Sequence, residues 1–363
     1  MNNEFVSYAV DQAAKILSID SPSGFTRKAA EYVFEEYRKL GFQPVMTNKG
    51  GVVVCVSEGT QPAYPDNKNI CLTGEPLDPA KGPVLFQAHL DTLGGMVTEI
   101  TGNGRLRITN LGGLNPNNVE TESVRVHTRD GKVYEGTFQM TNASLHVNRK
   151  YNDTPRSWDT MEVVLDEIVR TQDETKALGI TVGDFVCFDP RVNITKTGFI
   201  KSRFLDDKLS VAILLGHAKY LKETGAVTER KIYHFISVYE EVGHGGCASI
   251  PADVTEIISV DMGCVGTGLA CDETMVSICV KDSGGPYDYD VTTALINAAK
   301  AANIDYAADY YPGYGSDAEA SLRAGYDCRH GLIGPGVYAS HGYERSHVKG
   351  VENTLDLMKA YLG

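Results

Sequence analysis

No run of about 18 apolar residues occurs in this 363-residue chain, so no membrane-spanning helix is expected. The first residues, MNNEFVSYAVDQ, lack a basic segment followed by an apolar one, so no secretory leader is expected. Positive charge is in deficit: 34 Lys and Arg against 47 Asp and Glu leave a net charge of −13. Such a surface repels phosphate backbones and anionic membranes, which argues against nucleic-acid and membrane partners. No CxxC pair is present, although there are eight cysteines. They are dispersed, several in strand-like runs such as VSICV and DFVCF, and read as buried free thiols of a cytoplasmic protein. Internal repeats and low-complexity tracts are also missing. What remains is an ordinary globular composition, 42% hydrophobic and 22% charged, with length for about two domains.

Helical spacing of Val6, Ala9, Val10, Ala13 and Leu17 predicts a first helix. A second is predicted over about Thr26 to Leu40, with Gly41 as its stop. The runs VVVCV and PVLFQAH read as strands, and apolar strands alternating with helices indicate an α/β fold with a mixed, mostly parallel sheet. After Leu93 the texture changes. SVRVHTRDGKVYEG predicts a hairpin turning at Asp130-Gly131, and Thr171 and Glu174 have capping-box spacing before a short helix. Helix–sheet alternation resumes after Lys201 with LDDKLSVAILLGHAKYL, KIYHFISVYEE, EIISVDMG, YDVTTALINAAKAANI and VENTLDLMKAYL. The simplest division is an α/β domain of residues 1–92 and 202–363, split by a β-rich insertion of residues 93–201.

Open α/β sheets bind ligands beyond the carboxyl ends of their strands. PVLFQA runs into His89-Leu90-Asp91, IYHFISVY into Glu240-Glu241, EIISV into Asp261, and GVYAS into His341. Asp206-Asp207 precedes the helix LSVAILLGHAKYL. Each taken alone has an ordinary reading: a helix N-cap for the Asp pair, a solvated loop for the Glu pair, a polar surface for His341 and His347. Together they point to a metal site. Two His with several carboxylates suit zinc, cobalt or manganese rather than calcium. Two metals about 3.5–4 Å apart need a bridging carboxylate, and a further carboxylate must take the proton from the attacking water and pass it to the leaving group.

As an ordered set, QAHLDTLGG, FLDDK, YEEVGHGG, SVDMG and SHGYE resemble the dinuclear metalloaminopeptidases of the tetrahedral type, the glutamyl and deblocking aminopeptidases. SPSG at Ser21–Gly24, GRLRITNLGG, LGITVGD and GYGSDAEA extend the resemblance over nearly the whole chain. It implies a zinc-exopeptidase-like sheet, a barrel-like insertion, and removal of N-terminal residues from short peptides by a metal-activated water. It also implies two divalent ions per chain, zinc or cobalt with manganese a third choice. His89 and Asp261 would hold one ion, Glu241 and His341 the other, and Asp206 both. Glu240 would be the general base and acid. Asp91, the other residue of the catalytic set, would sit behind His89 and fix its imidazole. The assembly implied is a homo-oligomer, a dodecamer enclosing a chamber.

Two positions depart from the family pattern. Thr92 stands where an acidic residue is usual, and His341-Gly342-Tyr343 stands for His-Ser-Pro. The second departure leaves His347 as an alternative to His341. The strand GVYAS just before His341, and Glu344 just after it, favour His341. Asp317 in GSDAE matches a family position near the site, and Cys247 and Cys264 read as packing residues. Two other functions stay open at this point: a glycosidase using Glu240 and Glu241 as its carboxyl pair, and a non-catalytic assembly or binding protein on the same fold.

Overall fold

The computed structural model describes residues 3–61 and 78–362. Cys71 lies outside them; Cys55, Cys187, Cys247, Cys264, Cys271 and Cys279 are free thiols.

Four strands run parallel at the centre of a twelve-stranded mixed sheet: Ile232–Ser237, Val84–His89, Glu256–Val260 and Arg329–Tyr338. Strands 84–89 and 256–260 are buried at every position, as expected of strands covered on both faces. Val52–Ser57 pairs antiparallel with Ile232–Ser237 and alternates buried and half-buried positions, so one of its faces is covered more deeply than the other. Antiparallel partners complete the other side, with Glu344–His347 joining Arg329–Tyr338 to Phe199–Ser202.

Helices cover both faces. Leu205–Thr224 packs against Glu4–Leu17, Val348–Leu362 and strand 84–89. Its residues 205–218 are all buried, whichever side they face, which is why the segment reads as apolar rather than amphipathic. The short helix Asp317–Arg323 lies on the opposite face, where Ala318 packs with Leu85, Phe235 and Ile257.

Between His89 and Phe199 the chain builds a closed antiparallel barrel of six strands: Gly94–Ile100, Leu106–Leu111, Ser123–His127, Val133–Met140, Met161–Leu165 and Phe185–Phe188. Closure leaves no free sheet edge, and Val97, Ile108, Val126, Phe138, Met161 and Val186 are buried in its core. The predicted hairpin forms, with Gly131 at φ +84° in its turn. The Thr171–Glu174 capping box forms as well. The barrel abuts the α/β unit through Asp20, which pairs with Arg125 and His127, and through the stacked rings of Phe25 and Phe185.

Two local expectations change. The strand predicted to run through KIYHFISVYEE stops at Ser237, and Tyr239 takes a left-handed φ of +73°. Glu240–Val242 then forms a 3-10 turn. The helix starting at Leu205 is non-helical at Asp206 and Asp207, with a cis peptide between them.

Candidate metal centre

The four central strands end on one rim of the sheet. His89 is the last residue of its strand, Asp261 follows Val260, Glu240 and Glu241 follow Ser237 by three and four residues, and His341 follows Tyr338 by three. Asp206 reaches the same rim from the start of its helix. Donor atoms of His89, Asp206 and Asp261 lie within 4.8 Å of one another, and so do those of Asp206, Glu241 and His341. Asp206 is common to both groups. Its Oδ1 lies 3.0 Å from His89 Nε2 and its Oδ2 lies 3.5 Å from His341 Nε2. Donors of one tetrahedral zinc, each about 2.0–2.1 Å from it, stand roughly 3–3.5 Å apart.

The hydrogen bonds of the two imidazoles test whether cations fit here. His89 Nδ1 donates to the backbone carbonyl of Asp91 at 2.9 Å, and His341 Nδ1 donates to that of Gly113 at 3.3 Å. In a neutral imidazole the other nitrogen then carries a lone pair. Both lone pairs face oxygens of the Asp206 carboxylate, which are also acceptors. Acceptors this close require a proton or a metal ion between them. Glu241 Oε1 and Asp207 Oδ1 are buried without hydrogen-bond partners, so the carboxylate set has spare donor capacity. The residues present fit two divalent cations.

Without such cations the charges are badly matched. Burial opposes ionisation of Asp206, but hydrogen bonds from His341 and His89 outweigh it and hold that carboxyl well below its usual range. Burial pushes Glu240 far up, with Asp317, Asp261 and Asp206 adding to it; burial and Asp206 do the same to Glu241. Asp261 is pushed to about 7 by burial and by Asp206. Burial works against charge on His89, yet Asp206, Glu240 and Asp261 together raise it well above its usual value. The hydrogen bond to Asp206 lifts His341 to about 9.

Glu240 and Glu241 face different parts of the centre. Glu240 Oε2 is 3.7 Å from His89 Nε2, and Glu241 Oε2 is 3.8 Å from His341 Nε2. Glu240 keeps 17% of its side chain exposed against 5% for Glu241, so Glu240 is the carboxylate that an incoming substrate can meet. Asp91 behaves differently from expectation in one atom. Its carbonyl, not its carboxylate, bonds the imidazole; the carboxylate accepts from Ser23 Oγ and from the backbone N–H groups of Glu240 and Glu241, at 3.0 and 3.3 Å. Asp91 thus orients the histidine and the Glu pair together.

His347 lies away from the centre, with Nε2 on the carbonyl of Thr197 and its ring against Phe199. Asp317 is buried and accepts from Ser237 Oγ and from Gly246 N, bracing the loop that carries Glu240. Cys247 and Cys264 are in neither donor group. Three residues to which the sequence assigned no role contribute to the centre. Asp207 accepts from His89 N at 3.1 Å, Glu344 accepts from backbone near the centre, and Gly113 of the insertion orients His341. The Asp206-Asp207 doublet and the repeated LGG tripeptide were the available signals.

A third group, Asp20, His127 and Cys187, also has metal-like spacing. There Arg125 donates to both Asp20 oxygens at 2.6 and 2.8 Å, and His127 to one of them at 2.8 Å. The carboxylate is already neutralised, and an ion would sit beside a guanidinium. This group is a structural pairing.

The model of the M42 glutamyl aminopeptidase family matches residues 69–357. YhfE of Bacillus subtilis is 41% identical over 348 residues, 96% of this chain and 95% of that one. The lysyl aminopeptidase of Pyrococcus furiosus is 27% identical over 181 residues, 49% of this chain and 50% of that one. Among solved structures, the aminopeptidase of Desulfurococcus kamchatkensis superposes with a TM-score of 0.83 at 20% identity, covering 99% of this chain and 95% of the other. TET1 peptidase of Pyrococcus horikoshii, described as able to form a tetrahedron or a large octahedral shell, gives 0.80 at 21%, covering 98% and 99%.

Proposed function

Since the chain belongs to the M42 glutamyl aminopeptidase family and is an aminopeptidase, we propose that its activity resides in a dinuclear centre at this rim. His89, Asp206 and Asp261 would hold one divalent ion, and Asp206, Glu241 and His341 the other. The observation that carries this reading is the single Asp206 carboxylate facing both imidazole lone pairs. When bound, the pair of ions supplies Lewis acidity toward the scissile carbonyl and makes a water acidic enough to attack near neutral pH.

The chain's own residues do the rest. Glu240 takes a proton at its carboxylate from the attacking water and returns it to the leaving amine, as general base and then general acid. Its position beside the centre, with a partly exposed carboxylate and a backbone N–H fixed by Asp91, supports this role. Asp91 positions His89 through its carbonyl and Glu240 through its carboxylate. Glu240 and Glu241 face different histidines, which speaks against a carboxyl pair flanking one glycosidic bond.

Substrates of this reading are short peptides with a free N-terminus. The likeness to the TET1 peptidase, solved as a dodecamer and able to form a tetrahedron or a large octahedral shell, supports a closed homo-oligomer, and a dodecamer with the inserted barrel contributing contacts is the form proposed. Free thiols such as those of Cys187 and Cys279 support a cytoplasmic setting. Among the described residues no helix is long and apolar enough to cross a membrane. The deciding experiment assays metal-free protein on a panel of aminoacyl chromogenic substrates, with zinc, cobalt or manganese added back. Release of the chromophore only after metal addition is expected. Full activity in metal-free protein would overturn the reading.

A further inference from the structure

The two segments that meet at the second donor group are both irregular. Asp206 stands two residues after Phe204, a non-glycine residue at φ +67°, and has non-helical dihedrals within its helix. His341 sits at φ +61° in a turn where Ala339 is also left-handed. Left-handed backbone costs a non-glycine residue roughly 1–3 kcal/mol, and it persists only where neighbours hold it. Neither the N–H of Asp206 nor that of His341 joins a strand ladder.

Both N–H groups go to one side chain. Glu344 Oε2 accepts from Asp206 N at 3.1 Å, and Glu344 Oε1 accepts from His341 N at 2.9 Å. The Glu344 backbone is fixed in turn, paired with Ser202 in the antiparallel ladder of Glu344–His347 and Phe199–Ser202. Its side chain is buried, 2% exposed, so the two bonds form away from competing water. One carboxylate therefore ties the loop after strand 329–338 to the start of helix 205–224.

We propose that Glu344 is a positioning residue for the second metal subsite, clamping the backbones of Asp206 and His341 so that their side-chain donors stay at ligand spacing. The inference rests on the dinuclear reading above. Glu344 itself bonds backbone rather than any group of the donor set. Its effect acts through the two residues it holds, and only one of them, Asp206, is shared with the first subsite. Asp206 has further support there from its contact with His89, and His89 is held by Asp207 and Asp91. Loss of the clamp should fall on the second subsite.

The test measures binding of Zn²⁺ alone to the metal-free full chain, by titration calorimetry and by elemental analysis after dialysis. Glu344→Gln keeps the shape and one acceptor but turns an NH₂ toward the other N–H. Glu344→Asp keeps the carboxyl group but is one methylene too short to span both. For wild type, two ions per chain are expected. For either variant, one ion should stay tight and the second should weaken about 10- to 100-fold, the usual range for residues that support ligands. Circular dichroism and Tm should stay close to wild type, and excess Zn²⁺ should restore peptidase activity. Wild type binding fewer than two ions would overturn the dinuclear reading itself. Two ions in wild type with both affinities unchanged in the variants would overturn the clamp alone. Failure of both variants to fold would also overturn it, since Glu344 would then hold up the chain rather than the subsite.

Discussion

Glu240 and Glu241 are identical side chains that one turn sends to different parts of the centre. The 3-10 turn, entered through left-handed Tyr239, sends one carboxylate toward His89 and the other toward His341. Glu240→Gln keeps size and a hydrogen bond but cannot accept the proton. It should lower kcat at least ~10²-fold with zinc content unchanged, as read by steady-state kinetics and elemental analysis. Glu241→Gln should instead lose affinity for one ion, and its activity should recover in part with added metal. Metal loss at Glu240 with retention at Glu241 would show the two to be exchanged. At this scale the residue types were legible, because strand-end His and carboxylates are scarce and ordered. Which atoms make the contacts was not. Asp91 uses its carbonyl on His89 and its carboxylate on the Glu backbone, a division that depends on where the chain turns after residue 89.

Helices and hairpins with local signals formed as their sequences indicate: the Thr171 capping box, the Asp130-Gly131 turn, the apolar helix after Asp207. The left-handed breaks at Tyr239 and Phe204 were illegible, because no glycine or other local signal marks them. A buried chain of hydrogen bonds also joins elements that no local pattern links. Tyr37 Oη lies 2.9 Å from His234 Nδ1, and His234 Nε2 lies 3.0 Å from His217 Nδ1. It ties helix 27–39, strand 232–237 and helix 205–224 together. Burial depresses His217 to about 3, with Lys359 adding to it, and depresses His234 well below its usual value, with His217 adding to that. Both are neutral in the fold and take up protons on unfolding. Their contribution to stability is therefore complete above the unfolded pKa near 6.5 and is lost as pH falls toward 3. Urea unfolding of the metal-free chain between pH 7.5 and 5 should show this loss. In His217→Leu the difference in slope from wild type should approach ~1.4 kcal/mol per pH unit. Parallel stability curves for the two proteins would refute the assignment.

At the scale of the molecule, the barrel is more than an appendage to the sheet. Gly112 and Gly113 approach Glu241 and His341 so closely that a Cβ on Gly113 would stand 2.8 Å from the His341 ring. Removing residues 93–201 should abolish the large oligomer in light scattering. It should also weaken the second ion, because the Gly113 carbonyl is lost with it; an unchanged oligomer would contradict the assembly role. That coupling could not be read from the sequence, where residues 113 and 341 are far apart and each looks like part of a loop. Folding brings four donors, His89, Asp261, Glu241 and His341, from separate segments around the shared Asp206 carboxylate. Metal content per chain, measured on wild type and Asp206→Asn after dialysis against dilute zinc, tests it most directly. Two ions in wild type, with both sites weakened in the variant, are predicted. Two tightly held ions in Asp206→Asn would contradict the bridge.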